Sequence, residues 1–274
     1  MMELINGHLG LIAILFATSA FAGFAAGLFG IGGGAIIVPA LYLVFVSLGY
    51  PDTAMHTALA TSLATIILTS LRSVHGHHKK GSVDWSVLRK WAPPIMFGAV
   101  AGQLTASLLS GEALALIFAL LAYALSAQLF FGRPDWRLGE TLPTGLARGG
   151  LGGAIGFLST LMGIGGGVFG VTLMTVFGRP MTQAVGTAAG FGAAIGAPSA
   201  VAAIITGHGE GGLPPFSLGY VNLVAFAFVS TLTVAVAPYG VRVAHALDAR
   251  RLKQLFALLL FVIASRILWS AISA

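Results

Sequence analysis

The sequence predicts an all-α integral membrane protein that contains two copies of one multi-helix unit. Of its 274 residues, 57% are hydrophobic and only 8% are charged, whereas about 25% are charged in an ordinary soluble domain. Residues 4–51 carry no charged side chain, and residues 92–132 carry only Glu112. Apolar stretches of this length can cross a hydrocarbon core of about 30 Å. The third observation is an internal repeat, which sets the number of units.

The repeat is clearest where GFAAGLFGIGGG, at 23–34, aligns without a gap on GFLSTLMGIGGG, at 156–167. Eight of these twelve positions are identical, which chance rarely produces. Two more pairs of short matches follow in the same order: ALATS at 58–62 with AVGTA at 184–188, and FALL at 118–121 with FALL at 256–259. Matches in this order indicate a duplication that covers nearly the whole chain.

The duplication divides the chain into three parts. Residues 1–132 form the first membrane repeat, and residues 143–274 form the second. Between them lies a polar connector, 133–142, which holds Pro134 and a cluster of charges. Such a composition is typical of a loop between structured segments, and the basic residues described below place it on the cytoplasmic side.

Apolar stretches predict five helical segments in each repeat. Those of the first repeat lie near 9–29, 34–49, 54–74, 89–109 and 112–131. Those of the second repeat lie near 144–162, 167–178, 182–205, 217–239 and 252–272. At a rise of about 1.5 Å per residue, the segment 167–178 is too short to span, so it and its partner are expected to form a re-entrant hairpin with a Gly-rich tip inside the protein. For the segment 34–49, spanning and re-entry both stay open.

The basic residues favour one orientation in the cell (inner) membrane. With an external N-terminus, thirteen of the fourteen Lys and Arg residues fall on the cytoplasmic side, as the positive-inside rule requires. These are Arg72, Lys79, Lys80, Arg89, Lys90, Arg133, Arg137, Arg148, Arg179, Arg242, Arg250, Arg251 and Lys253. The chain then crosses the membrane an odd number of times between equivalent points of the two repeats. The second repeat is therefore inverted in the membrane relative to the first. Inverted repeats, here with Gly-rich tips that meet near the midplane, are typical of secondary transporters that work by alternating access.

The two glycine clusters are the strongest candidates for a binding site. Glycine tolerates positive φ and lets a ligand approach backbone N–H groups closely. Each cluster directly precedes an apolar helix, so free N–H groups and the positive end of the helix dipole would face an oxyanion. The predicted substrate-binding glycines are Gly30, Gly32, Gly33, Gly34, Gly163, Gly165, Gly166 and Gly167. The alternative is that they serve close helix packing alone.

Polar side chains near the starts of two equivalent helices are further candidates for substrate binding. Thr61 with Ser62, and Thr187 with Gln183, are placed to donate hydroxyl or amide hydrogens to the same ligand. Alternatively, the hydroxyls bond the carbonyl one turn earlier, which is the commoner fate of Ser and Thr in membrane helices. Sequence alone leaves both interpretations open.

Two ionisable residues complete the predicted site. Arg266 lies within the last predicted span, and an ionisable group there is a candidate for substrate contact. Its alternative is to snorkel toward the external headgroups, and its counterpart in the repeat is the polar Gln128. His56 is a candidate for proton coupling, but the nearby Asp52 favours a histidine at the membrane interface.

Several other chemistries are excluded or disfavoured. The chain has no cysteine, which excludes disulfides and thiolate metal sites. Three histidines at 75–80 have no carboxylate beside them, so a solvated cytoplasmic loop is favoured over a metal site. The net charge of +6 comes from short basic loops between apolar segments, so nucleic-acid binding is not expected. The GxGGG clusters follow no strand, so they are not a dinucleotide fingerprint, and no cofactor is expected.

The glycine motifs and the repeat resemble the TauE/SafE sulfite exporter family. The resemblance rests on FAAGLFGIGGGAIIVP at 24–39 and on GIGGG at 163–167 with GT at 186–187, and it covers most of the chain. It implies export or import of sulfite, sulfonates or related small organic anions. The second hairpin carries Thr172 where Pro39 would align, so the two halves need not contribute equally.

A secondary transporter for small sulfur-containing anions is therefore the leading hypothesis for function. The sequence has no Walker motif, so transport would rest on an ion gradient, with protons favoured, or on the substrate's own gradient. A passive anion channel is the first alternative. An intramembrane enzyme is less favoured, because every histidine maps to a loop or a helix end. The expected partners are a small anionic substrate and the lipid bilayer, and a homodimer is compatible with the sequence.

Overall fold

The described part of the chain is built almost entirely from α-helices. A computed structural model describes residues 16–17, 19–24, 33–132, 136–244 and 249–272. Within these ranges a helical stretch at 19–24 precedes the helices α1 (Gly34–Ser47), α2 (Pro51–Lys79), α3 (Trp85–Leu108), α4 (Gly111–Phe131), α5 (Gly145–Leu161), α6 (Gly167–Val176), α7 (Met181–Thr206), α8 (Leu223–Ala244) and α9 (Ala249–Ile272). A short antiparallel pair, β1 (Ser217–Leu218) and β2 (Val221–Asn222), precedes α8. The predicted all-α class is confirmed.

Several of these helices have the length and composition of membrane spans. Among the described residues, α2, α4 and α7 are long and apolar enough to cross a membrane, while α1, α6 and parts of α8 and α9 are apolar but shorter. The helix α6 has ten residues, which give about 15 Å at a rise of about 1.5 Å per residue. This is half of a hydrocarbon core of about 30 Å, so α6 does not span by itself, as the sequence predicted.

The helix α2 is longer than the sequence predicted. It continues to Lys79, so the histidines of the HGHHKK segment lie on its last turns, and the expectation of a flexible loop there is wrong. Trp85 Nε1 donates a hydrogen bond to His78 Nδ1 (3.1 Å), and His77 Nδ1 lies 3.2 Å from Ser82 Oγ. These contacts with the turn before α3 support the helix beyond its apolar segment. No cluster of potential metal ligands occurs in the ranges that the structure describes.

The predicted helix at 217–239 is wrong at its start, because its first six residues form the strand pair and the turn between them. Gly219 makes that turn with a φ of 53°, and a Cβ at this position would lie 2.6 Å from Ile204 Cα in α7. Asn222 then caps α8, since its Oδ1 accepts the N–H of Ala225 (2.9 Å). The close packing of the turn on α7, together with this cap, sets the start of α8.

Three extensive helix pairs form the body of the protein. The helix α2 packs on α7, α3 packs on α5, and α4 packs on α9. Under the sequence repeat, α2 is equivalent to α7, and α4 is equivalent to α9, so two of these pairs join equivalent elements. Large side chains that are fully buried in the interior include Phe118, Phe191, Met55, Leu59, Leu63 and Ile66. The central pair, α2 and α7, positions the site.

Glycines allow two other helix contacts to bring backbones together. A Cβ on Gly156 in α5 would lie 2.8 Å from Ala99 N in α3. A Cβ on Gly23 would lie 2.7 Å from Thr233 Cα in α8. Small residues at such contacts are the usual way that membrane helices approach closely. Because Gly23 and Gly156 align in the repeat, the first helical stretch meets α8 as α5 meets α3.

Candidate functional site

The second glycine cluster forms a tight turn between α5 and α6 and is enclosed by α2 and α7. Gly163 and Gly166 have φ values of 61° and 66°, which glycine adopts readily. A Cβ on Gly165 would lie 2.8 Å from Ile66 Cγ2 in α2 and 3.3 Å from Gly192 Cα in α7. The tip is therefore held between the two central helices, with no room for a side chain.

The first glycine cluster touches the second. Gly33 has a φ of 76° and directly precedes α1, as Gly166 directly precedes α6. A Cβ on Gly34 would overlap the carbonyl oxygen of Gly163, so the two tips are in contact there. Two of the predicted glycines lie outside the described residues: Gly30 and Gly32.

Both helices that begin at the tips lack a side-chain cap. Gly33 and Gly166 occupy the N-cap positions, and no described side chain accepts a capping hydrogen bond at either helix. The first N–H groups of a helix have no acceptor within the helix itself. Here they start in buried surroundings, since Ala35 is 1% exposed and Val168 is 5% exposed. Each tip therefore offers backbone donors in a place where an oxyanion would satisfy them.

The hydroxyl of Ser62 holds the second tip from the side of α2. Ser62 Oγ donates a buried hydrogen bond to the carbonyl oxygen of Gly163 (2.8 Å). A serine has one hydroxyl hydrogen, and in this structure that hydrogen is engaged with the tip. Ser62 therefore positions the tip, and its predicted role as a direct ligand donor would require this bond to open.

Thr61 and Thr187 make a matched pair of contacts across the two repeats. The N–H of Asn222 donates to Thr61 Oγ1 (3.0 Å), and the N–H of Asp84 donates to Thr187 Oγ1 (2.9 Å). Both threonines are fully buried. Each one holds the start of a helix from the other repeat, α8 for Thr61 and α3 for Thr187. A bond to the carbonyl one turn earlier is made instead by Thr65, which donates to Thr61 O (2.9 Å).

Sequence reasoning missed the two partners of these threonines. Asp84 caps α3, because its Oδ1 accepts the N–H groups of Ser86 (3.0 Å) and Val87 (3.1 Å). Asn222 caps α8 in the same way. The offset between them equals the offset between the FALL matches at 118–121 and 256–259, so the caps are equivalent in the repeat. A polar residue directly before an apolar helix is the signal that would have found both.

Ser159 is a further residue that the sequence did not single out. Its side chain is fully buried, and its Oγ has no hydrogen-bond partner within the described part of the chain. A Cβ on Gly166 would lie 3.5 Å from this oxygen, so the hydroxyl stands beside the start of α6. The carbonyl of Ser159 accepts the N–H of Ile164 (2.9 Å), which fixes the residue to the turn. The hydroxyl and the nearby N–H groups together form a neutral donor set.

The surroundings of this donor set carry no buried charge. Among the side chains that the structure describes, no Asp, Glu, Lys or Arg is buried. The buried polar side chains belong to serines, threonines, Gln103, Asn222 and His56. An anion at the tips would therefore be held by hydrogen-bond donors and helix dipoles rather than by an opposite charge.

A family model matches the sequence along nearly its whole length. The model is described as "Sulfite exporter TauE/SafE" and matches residues 15–267. The chain belongs to the TauE/SafE family. This confirms the resemblance indicated by the glycine motifs.

Relatives of this TauE/SafE chain are described as membrane transporters. The chain is 36% identical over 256 residues to a "Probable membrane transporter protein" of Haemophilus influenzae, covering 92% of this chain and 96% of the relative. It is 23% identical over 248 residues to a protein of the same description from Methanocaldococcus jannaschii, covering 89% and 90% of the two chains. No solved structure matches the chain. Family and relatives identify it as a multi-pass membrane transporter and not an enzyme.

His56 of this TauE/SafE chain is buried near the start of α2. Its ring is 9% exposed and stacks on Tyr220 with centroids 5.0 Å apart. His56 Nε2 lies 3.0 Å from the carbonyl oxygen of Leu109, which can only accept, so Nε2 carries the hydrogen. His56 Nδ1 has no partner among the described residues. The ring is thus buried within the protein near the start of α2, and both sequence interpretations of His56, an interfacial position and proton coupling, stay predictions.

The structure does not gather every predicted residue at the tips of this TauE/SafE chain. The side chain of Arg266 is exposed on α9, which favours the snorkelling interpretation. Its repeat counterpart Gln128 donates from Nε2 to Thr172 Oγ1 (2.9 Å), which joins α4 to α6. Gln183 is half-buried in the first turn of α7, one turn before Thr187. Gln128 and Thr187 therefore each contact the other repeat, and Thr187 does so from the central helix pair.

Proposed function

We propose that this TauE/SafE chain is a secondary transporter for small sulfur-containing anions, such as sulfite or an organosulfonate. The observation that carries the proposal is the buried contact between two glycine tips, each at the start of an uncapped helix. Two such helix starts offer N–H groups and positive dipole ends to one oxyanion. The description of the family supplies the sulfur chemistry.

The neutral surroundings of the tips suit a ligand that must be released again. No charged side chain is buried among the described residues. A full ion pair in such a place would be costly to desolvate and would hold the substrate too firmly. Backbone and hydroxyl donors bind an anion more weakly than an ion pair would, and transport requires binding that is weak enough for release. The donor set therefore supports a carrier rather than a storage or scavenging site.

Alternating access is supported by contacts that come in exchanged pairs. Thr61 contacts Asn222, and Thr187 contacts Asp84. In each case the backbone N–H of a helix-capping residue in one repeat donates a hydrogen bond to a threonine hydroxyl in the other repeat. In repeats that are related by a two-fold axis in the membrane plane, every contact has an equivalent with the halves exchanged. We take residues 1–132 and 143–274 as these inverted repeats. If the two members of a pair open alternately, the tips face one side of the membrane and then the other.

Proton coupling would act through His56. Its Nδ1 has no partner among the described residues, and its Nε2 is held on the carbonyl of Leu109. Protonation would therefore add a positive charge to a buried ring that is already fixed in place. A charge near the start of α2 would favour entry of an anion into the same central helix pair, and its loss would favour release. We take the N-terminus to lie outside the inner membrane, which the distribution of the basic residues supports.

A binding screen tests the substrate class directly. The midpoint of thermal unfolding of detergent-solubilised protein is measured with sulfite, thiosulfate, taurine, sulfoacetate, sulfate and simple carboxylates. A ligand that binds the folded state alone, at roughly a hundredfold excess over its Kd, raises the free energy of unfolding by about 2.7 kcal/mol. Sulfite or a sulfonate is expected to raise the midpoint. Stabilisation by carboxylates alone, or by cations alone, would contradict the sulfur assignment and leave the transporter class intact.

A further inference from the structure

The two glycine tips differ in the hydroxyl groups beside them. Ser159 and Thr160 precede the second tip, and the alignment of 23–34 on 156–167 places Ala26 and Gly27 at the equivalent positions of the first. The backbone at the helix starts is alike, since Gly33 and Gly166 both have positive φ. At these two aligned positions the second tip therefore has hydroxyl groups where the first has an alanine and a glycine.

One of the two hydroxyls is already engaged within the protein. Thr160 Oγ1 lies 3.0 Å from Ser199 Oγ, and Ser199 in turn donates to Ala99 O (3.4 Å). Ser159 Oγ is different, because it has no partner among the described residues although its side chain is 0% exposed. A buried hydroxyl without a partner is unfavourable. A ligand that accepts a hydrogen bond would remove this penalty.

The position of the free hydroxyl points to the start of α6. A Cβ built on Gly166 would lie 3.5 Å from Ser159 Oγ and would collide with Ile195 Cδ1, so the hydroxyl stands beside the N-cap of α6 and the Ile195 side chain must move aside to admit a ligand. Gly166 is the N-cap of α6 and receives no side-chain cap. The bond from Ile164 N–H to Ser159 O (2.9 Å) keeps the serine in place beside the turn. One oxyanion can therefore accept from the hydroxyl and from the first N–H groups of α6.

We propose that Ser159 Oγ and the first N–H groups of α6 form the principal oxyanion subsite, and that this subsite takes a sulfonate monoanion. The inference rests on the proposed function and deepens it. The electrostatic cost of desolvating an ion grows with the square of its charge. No Asp, Glu, Lys or Arg is buried among the described residues, so no permanent positive charge offsets the second charge of a dianion. Neutral donors at the subsite therefore select one negative charge over two.

Methanesulfonate and sulfate are a matched pair of probes, because both are small tetrahedral sulfur oxyanions and they differ by one charge. Their binding to the purified full chain is measured by titration calorimetry. Wild-type protein is expected to bind methanesulfonate at least about ten times more tightly than sulfate. Ser159→Ala is expected to weaken methanesulfonate binding by about ten- to a hundredfold, the range for one hydrogen bond to a charged group.

Ser126→Ala is the matched control, because Ser126 is also a buried serine but its Oγ donates to Ala257 O (2.7 Å). This variant is expected to unfold at a lower temperature and to keep its affinity for methanesulfonate. Ser159→Ala loses a hydroxyl that has no partner in the described structure, so its unfolding temperature without ligand should not fall. A serine with a merely structural role would show the reverse, a loss of stability with unchanged affinity.

Three outcomes separate this inference from the proposed function. Equal affinity of wild type and Ser159→Ala for methanesulfonate would overturn the subsite. Tighter binding of sulfate than of methanesulfonate by the wild type would overturn the choice of a monoanion. Either result leaves transport of sulfur anions standing, whereas a wild-type protein that binds no sulfur oxyanion would overturn the proposed function as well.

Discussion

At the residue scale, two glycines in the left-handed backbone region set the geometry of the tips. Gly33 and Gly166 stand at aligned positions and have φ values of 76° and 66°. Each lies directly before a helix, so the chain reverses and then presents the first N–H groups of that helix. A side chain at either position would be strained by the backbone conformation, and at Gly166 it would also collide with Ile195.

Replacement of Gly166 by valine should abolish transport. The left-handed conformation costs a β-branched residue roughly 1–3 kcal/mol, and the new side chain would collide with Ile195 beside the start of α6. Gly209→Val is the matched control, because Gly209 has a φ of 80° and no atom of the described residues lies within 4 Å of its Cβ position. Uptake into proteoliposomes is measured for both variants at equal protein abundance. Normal uptake by Gly166→Val would leave the second tip without a role in binding.

The conformations of these glycines could be predicted from sequence, but the partners of the hydroxyls could not. A GxGGG run before an apolar helix is a local signal for positive φ. Ser62, in contrast, bonds a carbonyl 101 residues away, and Thr61 accepts from an N–H 161 residues away. Such pairings depend on how α2 and α7 pack together, which no local pattern contains. Ser159 was missed for the same reason, because its free hydroxyl matters only once the tip is folded.

At the scale of elements, the central helices hold the starts of two other helices. Thr187 in α7 accepts the N–H of Asp84 at the start of α3, and Thr61 in α2 accepts the N–H of Asn222 at the start of α8. The sequence predicted the central helices well but misplaced the start of α8. The Gly219 turn packs on α7 and the Asn222 cap follows it, and this tertiary contact overrides the apolar character of the segment.

Loss of the threonine hydroxyl in α7 should destabilise the contact with α3. Thr187→Val leaves the N–H of Asp84 without its acceptor, which costs about 1–3 kcal/mol for a buried group. Thr187→Ser keeps the hydroxyl and should stay close to wild type. Thr206→Val is the control in the same helix, because within the described part of the chain Thr206 Oγ1 bonds its own helix, at Ala202 O (2.9 Å). Denaturant unfolding in detergent gives the comparison, and equal stability of Thr187→Val and Thr206→Val would rule out the contact as a stabilising one.

At the scale of the whole molecule, the proposed account is a pair of inverted repeats around a neutral site. The membrane class, the helices and the family could be read from composition, periodicity and the glycine motifs. The relation between the repeats rests on the basic residues and on the exchanged contacts of Thr61 and Thr187. Orientation in the membrane is a separate property, and it follows from charge rather than from packing.

Cysteine labelling should show that the C-terminal end of α2 and the C-terminal end of α7 lie on opposite sides of the membrane. The chain has no cysteine, and His78 and His208 are both exposed. A membrane-impermeant thiol reagent should label His208→Cys in intact cells and should label His78→Cys only after permeabilisation. Labelling of His78→Cys but not of His208→Cys in intact cells would contradict the inverted arrangement and the external N-terminus.

Counterflow in proteoliposomes tests most directly the central claim that the protein is a carrier of small sulfur oxyanions. Vesicles are loaded with unlabelled sulfite, and the entry of radiolabelled sulfite from outside is followed over time. A carrier that exposes one site alternately to each side exchanges internal for external substrate, so the label should rise transiently above its equilibrium level. The account predicts this overshoot for the wild type and its absence for Gly166→Val. Label entry that is the same with and without internal sulfite would indicate a channel and would contradict the account.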